Sequence, residues 1–459
     1  MAYSTGSIFL LLLSTCYGQL VNMLSQYPKA STQKVHPNFF HSELRYVDNT
    51  VRDTLDHATL KTVMSNAVPN ITYINNQTFS EYIHAEYMAG VKNEDVKLSI
   101  RELITKYGYP LEEHEVITAD SYILRMFRIP GNGPVVLLMH GLFGSADDFV
   151  VAGPKNSLAY LLANDGYDVW LGNARGNKHS RRHVSLDPAG PAFWKFSWHE
   201  IGYYDLPAMI DYSLNVTNRR SLYYIGHSQG TTSFFVMGSE RPEYNEKVTL
   251  MIALAPSAYL SHTKSRLMRV LAPKGALIQT VLNNNGIYEL LSDTPTMRVV
   301  KDILCNTGPL VDILCNRIVM SLNVFSNTEL NATLLPVILS HAPSGASVEQ
   351  VNHYFQGIMS GMFRQYDHGV DMNMKKYGRV TPPSYPLEKI SAPVALFFSD
   401  DDTLCSSRDA YKLHRRLNNC VDMYKPPNEY HFNHVDFIWA KHFRIVIYNR
   451  IIKLLRKFV

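Results

Sequence analysis

Residues 222–237, LYYIGHSQGTTSFFVM, decide the fold that this sequence predicts. Residues 222–225 form an apolar run typical of a buried strand, and residues 231–237 are typical of a helix. Between them, GHSQG matches the pattern Gly-x-Ser-x-Gly around Ser228, in which small flanking residues allow a sharp turn. Such a turn presents a serine hydroxyl at the end of a sheet. The alternative, an ordinary glycine-rich turn, is disfavoured by the position between a strand and a helix.

Short apolar runs alternate with helix-like stretches on both sides of this turn. The predicted strands are residues 135–139, 167–171, 222–225, 248–254 and 394–398, and the predicted helices are residues 158–164, 204–214 and 231–237. This alternation implies a mostly parallel sheet with helices on both faces. Together with the serine turn, it predicts an α/β fold of the α/β-hydrolase type.

A long segment separates the last two predicted strands, although a crossover between parallel strands needs only about a dozen residues. We therefore expect residues 259–385 to form a helical cap laid over one end of the sheet. The core would then consist of residues 93–258 and 386–459. The basic tail of the second part, KLLRK at residues 453–457, is interpreted as the end of an amphipathic helix.

The N-terminal residues are typical of a chain that enters the secretory pathway. Residues 8–13, IFLLLL, are too short to span a bilayer and are followed by small residues, which predicts a signal peptide over residues 1–18. Residues 19–92 have no clear periodicity and form an N-terminal extension of unknown role. No later segment is long and apolar enough to be a membrane anchor.

Cysteines and glycosylation sequons agree with an oxidising compartment. Of five cysteines, Cys16 lies in the predicted signal peptide, which leaves an even number in the mature chain. Four Asn-x-Ser/Thr sequons are candidate glycosylation sites: Asn70, Asn76, Asn215 and Asn331. The expected location is therefore extracellular or the lysosomal lumen. The formal net charge of only +4, with scattered basic residues, gives no support for a nucleic-acid partner.

A serine hydroxyl needs a base to take its proton, and the base needs an orienting carboxylate. In this fold the order along the chain is serine, acid, histidine. Near the C-terminus His434 precedes an apolar helical run and is preferred over His431, while His442 falls inside the following helix. The acid follows the strand at residues 394–398, where Asp400, Asp401 and Asp402 are all available.

The oxyanion of an acyl-transfer reaction needs two hydrogen-bond donors. The residue after the nucleophile, Gln229, supplies one backbone N–H in this fold, and the loop after an early strand supplies the other. His140-Gly141-Leu142 follows the strand at residues 135–139, so Leu142 is the candidate. His179 and His183 lack a zinc motif, and no nucleotide-binding motif is present, so neither a metal nor a cofactor is expected.

From about residue 93 onward the sequence resembles the acid lipase family, which includes gastric and lysosomal acid lipases. The resemblance is carried by strings in the right order: YGYP (107–110), HGL (140–142), DVWLGNARGN (168–177), FSWHE (196–200), YDLPA (204–208), GHSQG (226–230), FRQYD (363–367) and NHVDF (433–437). It implies that Ser228 is the nucleophile, His434 the base, and the amides of Leu142 and Gln229 the oxyanion donors.

The resemblance also selects the acid and places a lid. Family members carry Asp-x-Leu followed by a second aspartate seven residues after the first, which Asp402 and Asp409 match. A lid is implied near residues 290–320, with a disulfide between Cys305 and Cys315. Cys405 and Cys420 have no family counterpart and are candidates for a second disulfide.

The sequence thus predicts a secreted or lysosomal serine lipase that hydrolyses carboxylic esters of lipids, either triacylglycerol or cholesteryl ester. The expected partners are the lipid ester and, through the cap, a transient contact with a lipid interface. Two alternatives are a secreted lipid carrier without turnover, which need not keep all three of Ser228, Asp402 and His434, and a carboxylesterase that is not a lipase.

Overall fold

The turn at Ser228 lies in the middle of a mixed sheet. The structure, a computed structural model, describes residues 92–292, 324–326 and 328–458. Its strands are β1 Glu112–Ile117, β2 Tyr122–Ile129, β3 Val135–Met139, β4 Asp168–Leu171, β5 Arg182–His183, β6 Leu222–His227, β7 Val248–Leu254, β8 Glu289–Leu290, β9 Ala346–Ser347, β10 Val394–Phe397 and β11 Cys420–Tyr424.

Helices connect most of these strands. The α-helices are α1 Ile100–Lys106, α2 Leu158–Asn164, α3 Trp198–Glu200, α4 Leu206–Thr217, α5 Gln229–Glu240, α6 Arg266–Leu271, α7 Gly275–Asn284, α8 Leu335–His341, α9 Val348–Ser360, α10 Val370–Tyr377, α11 Ser407–His414, α12 Asp436–Trp439 and α13 Asn449–Lys457. Short 3₁₀ segments and two π-helical segments, Ile201–Asp205 and Arg444–Tyr448, complete the helices of the described residues.

The main sheet has the strand order β1-β2-β4-β3-β6-β7-β10-β11, with β5 paired to β2. The six strands from β4 to β11 in this order are parallel to one another, and the hairpin β1–β2 runs antiparallel at one edge. The carboxyl ends of neighbouring parallel strands therefore lie along one edge of the sheet, where α/β proteins place their sites. The prediction of a mostly parallel sheet with flanking helices is confirmed.

The core lies on both faces of this sheet. In β3, for example, all five residues are buried. Val136 and Leu138 pack in one apolar cluster, with helices α1, α2 and α13, while Leu137 and Met139 pack in a second cluster, with α4 and α5. A strand buried on both faces reads as a continuous apolar run, which is why the sequence revealed it.

The strands predicted at residues 135–139 and 248–254 are present with the same bounds, and the helix at 158–164 likewise. The helix at 204–214 begins two residues later and ends three residues later, at Thr217, because a π-helical segment occupies its first residues. In α13 the basic residues Lys453, Arg456 and Lys457 are exposed while Leu454 and Leu455 are buried, so the amphipathic interpretation is confirmed.

Between β7 and β10 the described residues contain helices α6 to α10 and the two-stranded pair β8–β9. The cap boundaries at residues 259 and 385 stay a prediction. The predicted signal peptide and, apart from Lys92, the predicted extension lie outside the described residues. So do the sequons at Asn70 and Asn76 and the pair Cys305–Cys315. Of the predicted lid, only residues 290–292 are described. Within the described ranges, no helix is long and apolar enough to cross a membrane.

Candidate active site

Ser228 occupies a strained turn between β6 and α5. Its φ is 50° and its ψ is −114°, a conformation that L-residues rarely adopt. The glycines on either side are required by space, because a Cβ at Gly230 would lie 2.2 Å from the Met139 carbonyl oxygen, and one at Gly226 would lie 2.7 Å from the Gly230 carbonyl carbon. The turn therefore requires glycine at both positions.

Three distant side chains meet at this turn. The Ser228 hydroxyl lies 2.9 Å from His434 Nε2, and His434 Nδ1 lies 2.9 Å from Asp402 Oδ2. All three residues are buried, with Ser228 exposing 9% of its surface. Because a carboxylate only accepts hydrogen bonds, His434 Nδ1 carries the ring proton and Nε2 accepts from the serine. This is the arrangement in which an imidazole can take a hydroxyl proton.

The other carboxylates and imidazoles predicted as competitors have other partners. Asp400 lies on the surface beside Lys425 at 2.7 Å, which lowers the pKa of that carboxyl. Asp401 pairs with the exposed His431 at 3.1 Å, and His442 pairs with Glu329 at 3.0 Å. Only Asp402, of the three adjacent aspartates, faces His434.

Asp402 is held by the start of the next loop. Its Oδ1 atom accepts the backbone N–H groups of Leu404 and Cys405, each at 2.8 Å. The two carboxylate oxygens therefore make different contacts: Oδ1 binds the backbone and fixes the side chain, whereas Oδ2 faces the imidazole. This division of contacts gives the carboxyl group one orientation.

Asn433 belongs to the string NHVDF but was given no role from the sequence. It joins the loop that carries Asp402 to the loop that carries His434. Its Oδ1 atom accepts the backbone N–H of His434 at 2.8 Å and that of Thr403 at 3.1 Å. Thr403 directly follows Asp402, so one side-chain oxygen holds both loops. The position immediately before the predicted base was the only signal available in the sequence.

His227, the residue before Ser228, is not suited to act as a base. Its Nε2–H donates to the His434 carbonyl oxygen at 3.0 Å. Burial lowers the pKa of His227 to about 3, with a smaller contribution from His434, so the ring stays neutral. Its role is to support the His434 backbone.

Asp436 is a buried carboxyl beneath the histidine loop. Its Oδ2 atom accepts the N–H groups of Asn433 at 2.7 Å and Ser326 at 2.9 Å, while Oδ1 has no partner among the described residues. Burial raises the pKa of Asp436 to about 8, and the nearby carboxylates of Glu329 and Asp402 add to the increase. The group is therefore protonated in the folded protein at weakly acidic pH.

We expect Asp436→Asn to stabilise the protein selectively toward neutral pH. Between about pH 4 and pH 8 the folded state keeps the Asp436 proton, whereas the unfolded carboxyl, with a pKa near 3.9, has lost it. Because the folded state binds more protons, its stability falls as the pH rises through this window. Asparagine retains an oxygen for the two amides and cannot ionise.

The measurement is Tm at pH 5, 6.5 and 8 for both proteins. The variant should lose less stability than the parent between the first and last values, and Asp371→Asn, at an exposed position of α10, should follow the parent. Parallel curves for Asp436→Asn and the parent would show that Asp436 does not titrate in this window.

Two backbone N–H groups, those of Leu142 and Gln229, are the candidate oxyanion donors. Gly141, just before Leu142, lies against the serine, since a Cβ at residue 141 would be 3.2 Å from Ser228 Cβ. Across residues 92–292, 324–326 and 328–458, nothing accepts the N–H of Leu142 or of Gln229. Unpaired donors beside a nucleophile are what an oxyanion requires.

His140, in the same loop, has a structural role. Its Nδ1–H donates to the Gly141 carbonyl oxygen at 2.8 Å, and its Nε2 accepts the Ala174 N–H at 3.1 Å. Burial lowers the pKa of His140 to about 4, so the ring is neutral and fixes the shape of the loop.

The candidate disulfide between Cys405 and Cys420 is wrong, because both are free thiols in the structure. Cys420 pairs with Val394 at the start of β10, whereas Cys405 lies beyond its end at Phe397, beside Asp402. The strand alone separates these points by roughly 10 Å, more than a disulfide can span. Burial raises the pKa of Cys420 to about 11.

The Cys405 sulfur lies within 4.8 Å of donor atoms of Asp402 and His434, and these three types of donor can bind zinc. However, the Asp402 and His434 atoms already bond to each other, and burial raises the pKa of the Cys405 thiol well above its usual range. A protonated thiol is a poor ligand, so we interpret these three residues as part of the acid–base arrangement and not as a metal site.

His179 and His183 do not converge on a common point, since His179 contacts Asp147 and His183 contacts the Asp120 carbonyl oxygen.

Two predicted glycosylation sites fall within the described residues. Asn215 is exposed on the last turn of α4. Asn331 is half-buried, and its Oδ1 accepts the Thr333 hydroxyl at 2.6 Å. Asn215 is therefore the better presented of the two, and modification of both stays a prediction.

Comparison with known proteins agrees with this geometry. Residues 100–153 match the model of a partial alpha/beta-hydrolase lipase region, and residues 134–277 match the alpha/beta hydrolase fold. Lipase 1 of Drosophila melanogaster is 44% identical, covering 79% of this chain and 81% of that protein. Gastric triacylglycerol lipase of Bos taurus is 37% identical, covering 79% of this chain and 92% of that protein.

A solved structure from Sulfolobus solfataricus is similar in fold alone, with a TM-score of 0.50 and 14% identity, covering 76% of this chain and 94% of that one. The two relatives at higher identity, which cover a similar share of the chain, are named as lipases. Since one matches over nine tenths of its own length, the chain belongs to the acid lipase family of α/β-hydrolases and is a carboxylic ester hydrolase.

Proposed function

We propose that this protein is a secreted or lysosomal serine lipase that cleaves triacylglycerol or cholesteryl ester through an acyl-enzyme at Ser228. The observation that carries the proposal is the continuous hydrogen-bonded chain from the Ser228 hydroxyl through His434 to Asp402. The name of the bovine relative, gastric triacylglycerol lipase, supports the substrate class. The signal-peptide pattern of residues 1–18 supports entry into the secretory pathway.

In the first half of the reaction, Ser228 Oγ attacks the ester carbonyl carbon while its proton moves to His434 Nε2. The carbonyl oxygen becomes an oxyanion that accepts the N–H groups of Leu142 and Gln229. His434 then gives the proton to the leaving alkoxide oxygen, and the ester C–O bond breaks. The products are an alcohol and an acyl group on Ser228.

In the second half, water attacks the acyl carbon and loses a proton to His434. The new tetrahedral intermediate is held by the same two amides. Its collapse breaks the bond to Ser228 Oγ, which recovers the proton from His434, and the fatty acid leaves. Asp402 holds the imidazole in the productive tautomer.

A fluorophosphonate probe and a panel of esters test this proposal together. The probe should label Ser228, as located by mass spectrometry of peptides, and labelling should stop activity. Triacylglycerols and cholesteryl esters of increasing chain length would be assayed dissolved and as emulsions. A preference for emulsified long-chain esters is expected.

Each contrary outcome identifies an alternative. Absence of label on Ser228 with retained lipid binding would indicate a carrier without turnover. Label and hydrolysis without any rate increase on emulsions would indicate a carboxylesterase that is not a lipase. Either outcome would contradict the proposed activity.

A further inference from the structure

The side chain of Gln229 is held by helix α9, which lies far away in the sequence. Gln229 Oε1 accepts a hydrogen bond from Gln350 Nε2 at 2.6 Å and one from the Tyr354 hydroxyl at 3.2 Å. All three residues are buried, exposing 2%, 3% and 5% of their surfaces. Buried polar groups are generally paired, and losing one partner leaves the other unsatisfied. This contact therefore fixes the conformation of Gln229.

The orientation of the Gln350 amide is itself determined by the start of α9. Its Oε1 atom accepts the backbone N–H of Ser347 at 3.4 Å, and the Ser347 hydroxyl accepts the Gln350 N–H at 2.9 Å. This reciprocal pair is a capping box. Because Oε1 is occupied by the cap, the NH₂ group of Gln350 is the end that faces Gln229.

The second donor, Tyr354, is fixed by aromatic packing. Its ring contacts Trp198 edge to face, with centroids 4.5 Å apart. Tyr354 lies one helical turn after Gln350, so both donors project from the same face of α9. Two donors on one rigid helix thus converge on one oxygen atom.

Gln229 follows a residue with positive φ and begins α5, whose N-cap residue Ser228 makes no side-chain capping bond. Its backbone N–H is also one of the two proposed oxyanion donors. Such a donor must lie 2.7–3.1 Å from the oxyanion, and a misplacement of about 1 Å can cost 100-fold in rate. The direction of this peptide therefore depends on what holds the Gln229 side chain.

We infer that Gln350 and Tyr354 are positioning residues for the oxyanion hole. They hold the Gln229 side chain so that its backbone N–H points to the place where the oxyanion forms. Neither touches the reacting atoms. The inference rests on the proposed function of Ser228 and Gln229, and it assigns part of the catalytic geometry to the helix that follows β9.

Gln350→Glu separates positioning from helix capping. The introduced carboxylate still accepts the Ser347 N–H, as glutamate does in capping boxes, but it has no proton to donate to Gln229. We expect kcat on a dissolved p-nitrophenyl ester to fall by about 10- to 100-fold with KM changed by less than about 3-fold. Protonation restores a donor, so the loss should shrink as the pH falls.

Gln350→Met removes the donor without burying a charge and covers the case in which the glutamate variant does not fold. Its loss in kcat should be similar in size and independent of pH. Tyr354→Phe should give a smaller loss, because Gln350 remains. The rate of Ser228 labelling by the fluorophosphonate should fall in parallel, since the phosphoryl oxygen uses the same donors.

The matched controls contact α9 through Asn352 without reaching Gln229. Gln279→Met and Tyr366→Phe break the bond between the Tyr366 hydroxyl and Gln279 Oε1, which is 2.7 Å long. They should lower Tm as much as the test variants while leaving kcat within about 2-fold of the parent. A purely structural role for Gln350 would make test and control variants behave alike.

The outcomes keep the two proposals apart. If Gln350→Met and Gln350→Glu both fold and both keep parental kcat, while Ser228→Ala is inactive, the positioning inference is overturned and the proposed function stands. If Ser228→Ala is also active, the proposed function fails first. Loss of kcat confined to the Gln350 and Tyr354 variants, with a loss of Tm no larger than that of the controls, supports the inference.

Discussion

Replacing Ser228 with alanine is expected to lower kcat for ester hydrolysis by about 10⁵- to 10⁶-fold, because nucleophile, base and acid act as a unit and the loss of one removes the acyl-enzyme route. Substrate binding should be nearly unchanged, since the hydroxyl is small. Alanine also leaves the hydrogen bond between His434 and Asp402 in place. The measurement is kcat and KM on a dissolved ester, with Tm to verify folding.

The matched control is Ser239→Ala at the other end of α5. The Ser239 hydroxyl donates to the Phe235 carbonyl oxygen within the helix and does not reach the site. It should keep kcat within about 2-fold of the parent. Retention of a tenth of the parental activity in Ser228→Ala would remove Ser228 from the role of nucleophile.

Asp402→Asn is expected to lower kcat by about 10⁴-fold with little change in Tm. The asparagine oxygen can still accept the N–H groups of Leu404 and Cys405, so its NH₂ group must face His434 Nδ1. The imidazole then turns Nδ1 into the acceptor and carries its proton on Nε2. In that tautomer it cannot take the proton of Ser228.

Rates of hydrolysis and of fluorophosphonate labelling should both fall, because both require the serine to lose its proton. Asp401→Asn is the control, since that carboxylate is on the surface beside His431. It should keep kcat within about 2-fold of the parent. A loss below 10-fold for Asp402→Asn would assign the orienting role to another group.

The parallel part of the sheet could be predicted because strands that are buried on both faces appear in the sequence as continuous apolar runs. Runs such as residues 135–139 and 248–254 are almost wholly apolar, because burying a charged residue in them would cost free energy. The edge strand β1 was missed because polar residues fill most of it: β1 reads EEHEVI and has a single buried residue. Edge strands of this kind resemble loops in composition.

The three central side chains were predicted from chain order and from the family strings, and the structure brings them together. The residues that hold the surrounding loops and the Gln229 side chain could not be predicted. Gln229 and Gln350 are 121 positions apart, and only the folded chain places α9 against the serine turn. The pairing of Cys405 with Cys420 was wrong because an even number of cysteines says nothing about which end of a strand each one occupies.

The shared oxygen of Asn433 has a consequence for thermal motion. Because the same atom holds the backbone beside Asp402 and that of His434, a displacement of one loop pulls the other in the same direction. We therefore expect their fluctuations to be correlated, so that the distance between imidazole and carboxylate varies less than the position of either. Alignment of acid and base can thus survive movements of the surrounding loops while lipid enters and leaves.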